Sequence, residues 1–316
     1  MEAKHEERAT FIRIERQSVA DQGLSMTTSP RAACCAVLAS GLLSSLGSTQ
    51  AQAASAAQPG QTVGQAPGAP LPIGLYFIDT SSFGSRDIAP RSTDSNINLP
   101  SFVWATPAEL VGGRLQLIVL QPIAASSTGG AAYQSGFGQT LLAAQVAWKL
   151  GNSLNFSYLL GAYLPSQTKI VIQNPVLHQR FAITYNGDGW NLTANFLYGT
   201  YFDTTARTGA YYPDFLNLDL TATKKFGKWE VGPVAFGSTD LPTNNPTYAR
   251  QGQFAVGGLV GYNFGPVNLQ AYVTHDVVER NYGGLETRGW VRVTVPIYQD
   301  KGEPASAGPP TMIRKF

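Results

Sequence analysis

The chain has 316 residues, of which only 13% carry a charged side chain, about half the ~25% of an ordinary soluble domain. The formal net charge of +2 argues against nucleic-acid binding, which requires a strongly basic face. The two cysteines, Cys34 and Cys35, are adjacent, so they form neither a disulfide framework nor a zinc site. Low charge together with 33 glycines, 15 phenylalanines and 14 tyrosines favours an all-β membrane protein.

The N-terminal region carries a secretory signal. Arg31 precedes a run of small and apolar residues over 32–46, and the sequence Ala51-Gln52-Ala53 follows. A positive charge, an apolar stretch too short to span a bilayer and an A-x-A site are the parts of a cleavable signal peptide. Met26 lies just before this signal, so we expect translation to begin there.

The predicted organisation of the chain has five parts. They are a mis-assigned or extended N-terminus (1–25), a signal peptide (26–53), a flexible periplasmic linker (54–69), an outer-membrane β-barrel (70–298) and a Pro/Gly-rich tail (299–316). A genuine extension of the leader by 1–25 is the alternative to a mis-assigned start. The linker prediction rests on small, polar, Pro- and Gly-rich composition.

Apolar and polar side chains alternate along the chain after residue 70, as in strands with one apolar face. In one run Leu216, Leu218 and Leu220 alternate with Asn217, Asp219 and Thr221. About twelve such runs occur, over 73–80, 98–106, 111–122, 138–150, 153–163, 176–186, 189–200, 214–226, 228–238, 252–264, 266–277 and 286–297. Each is near the ~9–11 residues that a tilted membrane strand needs.

The connections between these runs alternate in length. Tight turns such as Gly151-Asn152 and Gly227-Lys228 alternate with long connections over 81–97, 124–137, 165–175, 201–213, 239–251 and 278–285. Short periplasmic turns and long outer loops are typical of transmembrane barrels. The sequence therefore predicts an all-β fold, a transmembrane antiparallel up-and-down β-barrel of about 12 strands with short periplasmic turns and longer extracellular loops.

In lipid every backbone polar group needs an internal partner, so such strands must close into a cylinder. Its apolar face then meets outer-membrane lipid and its polar face lines the lumen. The predicted lumen-lining residues are Arg114, Lys149, Tyr163, Arg180, Asp219, Glu230, Tyr272, Glu286, Arg288, Trp290 and Arg292. Twelve strands lie between the filled eight-stranded barrels and the open 16–18-stranded porins. We therefore expect a narrow pore, or a lumen that paired charges plug.

The sequence contains no catalytic constellation. Of the three histidines, His178 and His275 follow the predicted leader, and both are interpreted as surface or rim residues. No G-x-S-x-G elbow accompanies them, although a hydrolase needs a nucleophile beside its histidine. We expect no enzyme activity, no cofactor and no metal site; an outer-membrane hydrolase is kept as an alternative.

Several motifs resemble one known family. They are LPIGLYF over 71–77, WNLTAN over 190–195, KKFGKW over 224–229 and YNFGPV over 262–267. Over about residues 70–298 the chain resembles the outer-membrane proteins labelled "putative meta-pathway of phenol degradation". The resemblance implies an outer-membrane barrel that takes up aromatic or other hydrophobic compounds, and it supplies no catalytic residues to carry over.

These observations together predict a channel or transporter for small hydrophobic or aromatic solutes in the outer membrane of a Gram-negative bacterium. Its partners would be outer-membrane lipid, such a solute and the barrel-assembly machinery, with no nucleic acid. A structural barrel with a plugged lumen is the second alternative.

Overall fold

The computed structural model describes residues 55–88, 91–165, 174–205, 209 and 211–300. The predicted leader and most of the predicted tail lie outside the described residues. The described part contains fifteen strands: β1 (Gly74–Ile88), β2 (Arg91–Asn98), β3 (Ser101–Leu110), β4 (Gly113–Leu120), β5 (Ile123–Thr128), β6 (Gln134–Phe137), β7 (Leu141–Gly151), β8 (Leu154–Tyr163), β9 (Val176–Tyr185), β10 (Trp190–Tyr201), β11 (Phe215–Phe226), β12 (Trp229–Asp240), β13 (Gly252–Asn263), β14 (Asn268–Arg280) and β15 (Glu286–Gln299). Within it, no helix is long and apolar enough to cross a membrane.

Twelve of these strands form a closed antiparallel barrel. Neighbours follow the order β1, β3, β4 and β7 to β15, and β15 pairs back with β1. This closing pair runs from Gly74 opposite Gln299 to Arg86 opposite Glu286. Because each barrel strand has a partner on both sides, the ring leaves no edge, which is what a spanning sheet requires. The predicted twelve-stranded barrel is confirmed.

The two faces of the barrel wall differ in chemistry as predicted. On the inner face of β11, Asn217 and Asp219 are 0% and 2% exposed. On the outer face, Phe196 of β10 and Val273 of β14 are 43% and 57% exposed. An apolar exterior around a polar interior is the arrangement that a hydrocarbon solvent favours.

The wall extends further on one side than the sequence predicted. Residues 81–97 and 124–137 are predicted as long loops, but most of them form strands. The second half of β1 pairs with β2, β2 pairs with β5, and β5 pairs with β6. The loop prediction failed because polar residues such as Ser85, Asp94 and Asn96 stand where an apolar residue would be expected in a membrane strand. The alternation of apolar and polar residues therefore disappears, although the backbone pairing continues.

Prolines separate this extension from the closed ring. Pro100 lies between β2 and β3, and Pro122 lies between β4 and β5. A proline has no N–H to donate to a neighbouring strand, so the ladder is interrupted at both positions. The short connections, 111–112, 152–153, 186–189, 227–228 and 264–267, share one end of the barrel, whereas the long ones over 164–175, 202–214 and 241–251 share the other.

Residues 55–69, here called the N-terminal segment, lie inside the barrel. They fold into successive turns, in which the N–H of Gln61 bonds to Gln58 O at 3.1 Å and that of Gln65 to Thr62 O at 3.0 Å. Gly60 and Gly64 adopt φ values of 84° and 82°, in the left-handed region that glycine tolerates best. The structure thus differs from the flexible periplasmic linker predicted for 54–69. Small side chains let the segment fit, and the barrel wall supplies partners for its backbone.

Candidate functional site

The candidate site is the barrel lumen, and one carboxylate organises its centre. Asp219 of β11 accepts hydrogen bonds from the backbone N–H of Gly60 and of Thr62, both at 2.9 Å, and from the Thr62 hydroxyl at 2.6 Å. Asn195 of β10 donates to the same hydroxyl oxygen at 2.7 Å. The carboxylate therefore anchors the N-terminal segment with charge-assisted hydrogen bonds, which are the stronger kind.

Three glycines of the N-terminal segment, each four residues apart, bind the wall in the same way. The N–H of Gly60 donates to Asp219 at 2.9 Å, that of Gly64 donates to Thr221 Oγ1 at 2.8 Å, and that of Gly68 donates to Thr184 Oγ1 at 3.1 Å. An added Cβ at Gly60 or Gly64 would lie 2.7 Å from Phe236 or 2.5 Å from Leu259. Glycine is thus required for the close approach of segment and wall.

Arg292 of β15 holds the opposite side of the segment. Its guanidinium donates to the carbonyl oxygens of Gln61, at 2.7 Å, and of Val63. It also donates to Thr80 Oγ1 at 2.9 Å and Tyr272 Oη at 3.0 Å. In the described part of the chain no carboxylate oxygen lies within 4.0 Å of Arg292 or of Arg180. The guanidinium groups of Arg292 and Arg180 therefore have neutral oxygen atoms, rather than carboxylates, as hydrogen-bond partners in the lumen.

Aromatic rings line the lumen beside Arg292. Tyr272 and Trp290 stack at 5.2 Å with an interplanar angle of 12°, and the Arg292 guanidinium lies 5.5 Å from the Tyr272 ring centroid. Val63 of the N-terminal segment packs into the same cluster, together with Phe236. A planar apolar molecule could occupy the space that Val63 fills.

A buried ion network lies nearer the end with the long loops. Arg86 is 3.1 Å from Asp276 and 3.5 Å from Glu286, and Glu286 is 2.7 Å from Arg288. Arg86 also donates to Gly284 O at 2.7 Å, which ties the β14–β15 loop to the wall. Burial raises the pKa of Tyr282 in this loop to about 12, so its hydroxyl stays neutral.

The structure places the residues predicted to line the lumen as follows. Eight are buried on the inner side of the wall: Tyr163, Asp219, Glu230, Tyr272, Glu286, Arg288, Trp290 and Arg292. Arg114 is partly buried and donates to Leu71 O at 3.2 Å, and Arg180 is partly buried and donates to Gln145 Oε1. Lys149 is exposed near the end of β7, so the structure does not bring it together with the others.

The two histidines occupy different environments. His275 is exposed, and its Nδ1 lies 2.8 Å from Thr287 Oγ1. His178 is 1% exposed, so its interpretation as a surface or rim residue was wrong, because it faces inward from β9 rather than lying in the loop before it. Neither ring nitrogen of His178 has a partner with good hydrogen-bond geometry in the described part, although the Tyr198 backbone lies near the ring. No group of three or more His, Cys, Asp or Glu there could hold a metal ion.

Sequence reasoning missed two parts of the site. Arg86 lies in a region predicted as loop, although the alternation of Thr80, Ser82, Gly84 and Arg86 continues there. The N-terminal segment was also missed, and the only signal for it was the spacing of its three glycines.

A closed antiparallel barrel with an apolar outside, a polar inside and an even number of strands belongs to the class of outer-membrane β-barrels. The chain matches the family model described as "Putative MetA-pathway of phenol degradation" over residues 51–293. It belongs to this family.

One solved outer membrane protein shares the fold. An outer membrane channel from Pseudomonas putida F1 has a TM-score of 0.65 at 13% identity, covering 74% of this chain and 99% of that one. The translocator domain of the autotransporter NalP from Neisseria meningitidis has a TM-score of 0.41 at 10% identity, covering 71% and 88%. The chain has no match among curated protein sequences.

Proposed function

We propose that this protein is an outer-membrane channel for the uptake of small hydrophobic or aromatic compounds by a Gram-negative bacterium. The observation that carries the proposal is the mixed lumen. Stacked Tyr272 and Trp290 offer flat apolar surface. Beside them, Arg292 donates to the carbonyl oxygens of Gln61 and Val63, and a polar group of a solute can accept these hydrogen bonds when the N-terminal segment moves. The family description refers to phenol degradation, and the similar P. putida protein is named a channel, which agrees with the same role.

The orientation follows from strand number. Gly74 and Gln299 are paired at one end of the barrel, and a secreted chain that enters from the periplasm leaves both barrel termini there. The short turns then face the periplasm and the long loops face outward. The extension formed by β2, β5 and β6 would project beyond the outer surface of the membrane.

The N-terminal segment argues against a general pore through which large hydrophilic solutes diffuse freely. Its backbone fills the centre of the lumen, and hydrogen bonds such as those of Asp219 and Arg292 hold it there. We infer that a solute passes when the segment shifts. The geometry thus favours selective uptake of molecules that can replace contacts of the segment.

Uptake by intact cells tests the proposal. We expect a strain with the gene deleted to accumulate a labelled phenol-type compound more slowly than the wild type. We also expect liposomes that contain the purified protein to take up this compound faster than liposomes without protein. Equal accumulation by both strains at low external concentration would contradict the transport function.

A structural barrel with a permanently plugged lumen is the second candidate, because the N-terminal segment occupies the lumen. Planar-bilayer recording separates the two. Neither ion current nor solute flux under any applied voltage would favour the plugged barrel, whereas either one favours the channel.

A further inference from the structure

Beside the N-terminal segment the lumen contains an apolar cluster. Tyr163 of β8, Leu197 and Tyr201 of β10, and Phe215 of β11 are all at most 5% exposed, and Ala57 of the segment lies among them at 0%. The Ala57 carbonyl accepts a hydrogen bond from Asn217 Nδ2 at 2.9 Å. A single small methyl group thus occupies a place that large aromatic side chains surround.

Three polar side chains share the wall next to this cluster. The pairing of β8 with β9 sets Tyr163 opposite Val176, Gly161 opposite His178 and Leu159 opposite Arg180. Tyr163, His178 and Arg180 therefore follow one another on the inner face. The rings of Tyr163 and His178 meet edge to face, with centroids 5.3 Å apart.

These side chains contain buried polar atoms that the protein satisfies poorly. In the described part of the chain, the Arg180 Nε has no hydrogen-bond partner, and the Tyr163 hydroxyl and the two ring nitrogens of His178 have none with good hydrogen-bond geometry. The Gln61 side chain of the N-terminal segment lies near the Tyr163 hydroxyl, and the Tyr198 backbone lies near the His178 ring. Tyr163 and His178 are each 1% exposed. Buried polar groups are nearly always satisfied in folded proteins, and each exception calls for an explanation. Recognition of a ligand by these atoms is one such explanation.

The chemistry of these groups defines that ligand. A tyrosine hydroxyl and a guanidinium donate hydrogen bonds, and a neutral imidazole both donates and accepts. Arg180 has no carboxylate within 4.0 Å in the described residues, so an acidic oxygen of a ligand would be its ion-pair partner. The aromatic rings around Ala57 suit a flat apolar body, with which they would make edge or stacked contacts.

We infer that Tyr163, His178 and Arg180 form a binding site for an aromatic molecule with an acidic oxygen, a carboxylate or a phenolic oxygen. The ring of the ligand takes the place of Ala57 against Tyr201 and Phe215, and its oxygen faces Tyr163 and Arg180. The site rests on the proposed function, since the ligand must enter the lumen and displace part of the N-terminal segment.

Calorimetric titration of the purified full-length mature protein with benzoate tests the site. Tyr163→Phe removes one hydroxyl and keeps the ring, so the barrel still folds. We expect benzoate to bind about fivefold to tenfold more weakly to this variant, the usual effect of one lost hydrogen bond. Arg180→Met should weaken benzoate binding more, and benzylammonium, with the same ring and the opposite charge, should not bind.

Tyr158→Phe is the matched control. Tyr158 lies on the same strand but faces outward, and its hydroxyl donates to Gln179 Oε1 at 2.9 Å, so benzoate binding should be unchanged. The inference is overturned if wild-type protein fails to bind benzoate, if it binds benzylammonium equally well, or if Tyr163→Phe has no effect. If Arg180→Met fails to fold, Tyr163→Phe alone decides.

Liposome flux separates this site from the transport proposal. Benzoate binding that Tyr163→Phe weakens, without protein-dependent flux of any solute, supports the site and removes the transport function. Protein-dependent flux of aromatic compounds, without an effect of Tyr163→Phe on benzoate binding, supports transport and removes the site.

Discussion

Asp219 holds Thr62 at two points: one carboxylate oxygen accepts from the Thr62 N–H at 2.9 Å and from the Thr62 hydroxyl at 2.6 Å. A residue of the barrel wall thereby fixes a residue more than 150 positions earlier in the chain. Since the other carboxylate oxygen accepts from Gly60 N, the charge of Asp219 is the central attachment of the N-terminal segment.

Asp219→Asn should loosen that attachment. The asparagine side chain has only one acceptor oxygen. Its NH₂ group would face an N–H or O–H group of the N-terminal segment, and two donors cannot form a hydrogen bond with each other. Loss of hydrogen bonds to a charged group costs about 1.5–3 kcal/mol, which corresponds to at least about a tenfold rise in the population with a displaced segment. Mean conductance in planar bilayers should rise accordingly.

The control for this variant is Asp188→Asn, in the turn between β9 and β10. Its backbone φ of 52° suits asparagine as well as aspartate, so conductance should not change. Equal conductance of Asp219→Asn and wild-type protein would show that Asp219 does not hold the segment in place.

Adjacent glycines in β13 should respond differently to alanine. A Cβ at Gly257 would lie 2.0 Å from the backbone oxygen of Val273, whereas one at Gly258 would meet nothing within 4 Å. Overpacking typically costs about 1–3 kcal/mol. Gly257→Ala should therefore lower the temperature at which the barrel loses its compact form on a heat-modifiability gel, and Gly258→Ala should leave it unchanged. The same midpoint for both variants would contradict the close approach of β13 and β14.

A charged residue on the outer face of the barrel should destabilise the protein more the deeper it lies in the membrane. Val273 is 57% exposed in the middle of β14, and Tyr298 is 63% exposed near the end of β15. A lysine on the lipid face costs about 2–4 kcal/mol at the bilayer midplane and about 0–1 kcal/mol near an interface. In reversible unfolding from lipid vesicles, Val273→Lys should be strongly destabilising and Tyr298→Lys nearly neutral. A reversed order would place the membrane at a different height on the barrel.

Arg86→Met should destabilise the wall near the long loops. It leaves Asp276, whose side chain is 1% exposed, without its cation, and breaking a buried pair in this way costs about 3–5 kcal/mol. Denaturant unfolding in vesicles measures the loss. Arg280→Met is the control, because Arg280 is exposed and its hydrogen bond to Thr239 is long, at 3.5 Å. A comparable loss in both variants would argue against the ion network.

The fold was largely predictable because alternation in a strand is a local property. The run around Leu216 and Asn217 shows which side chains share a face, and the physics of lipid then requires closure. Where polar residues stand on both faces, as in β2, the local signal is absent, and pairing with β1 decided the structure instead.

The candidate site was predictable only in part. Alternate residues of a strand face the same side of the sheet, so the sequence shows that Arg292, Asp219 and Trp290 point inward. The same pattern cannot show what an inward-pointing side chain contacts. His178 lacks a local pattern that distinguishes the rim from the interior, and Arg86 lies where the apolar pattern ends.

The sequence by itself determined the class of barrel, the approximate number of strands and the inward direction of side chains such as Asp219 and Arg292, since all of these depend on periodicity along a single strand. Only the tertiary structure decided where residues 55–69 lie. Their Pro- and Gly-rich composition also suits a solvated linker, and the partners that hold them, Asp219 and Arg292, come together only when β11 and β15 stand in the same closed wall.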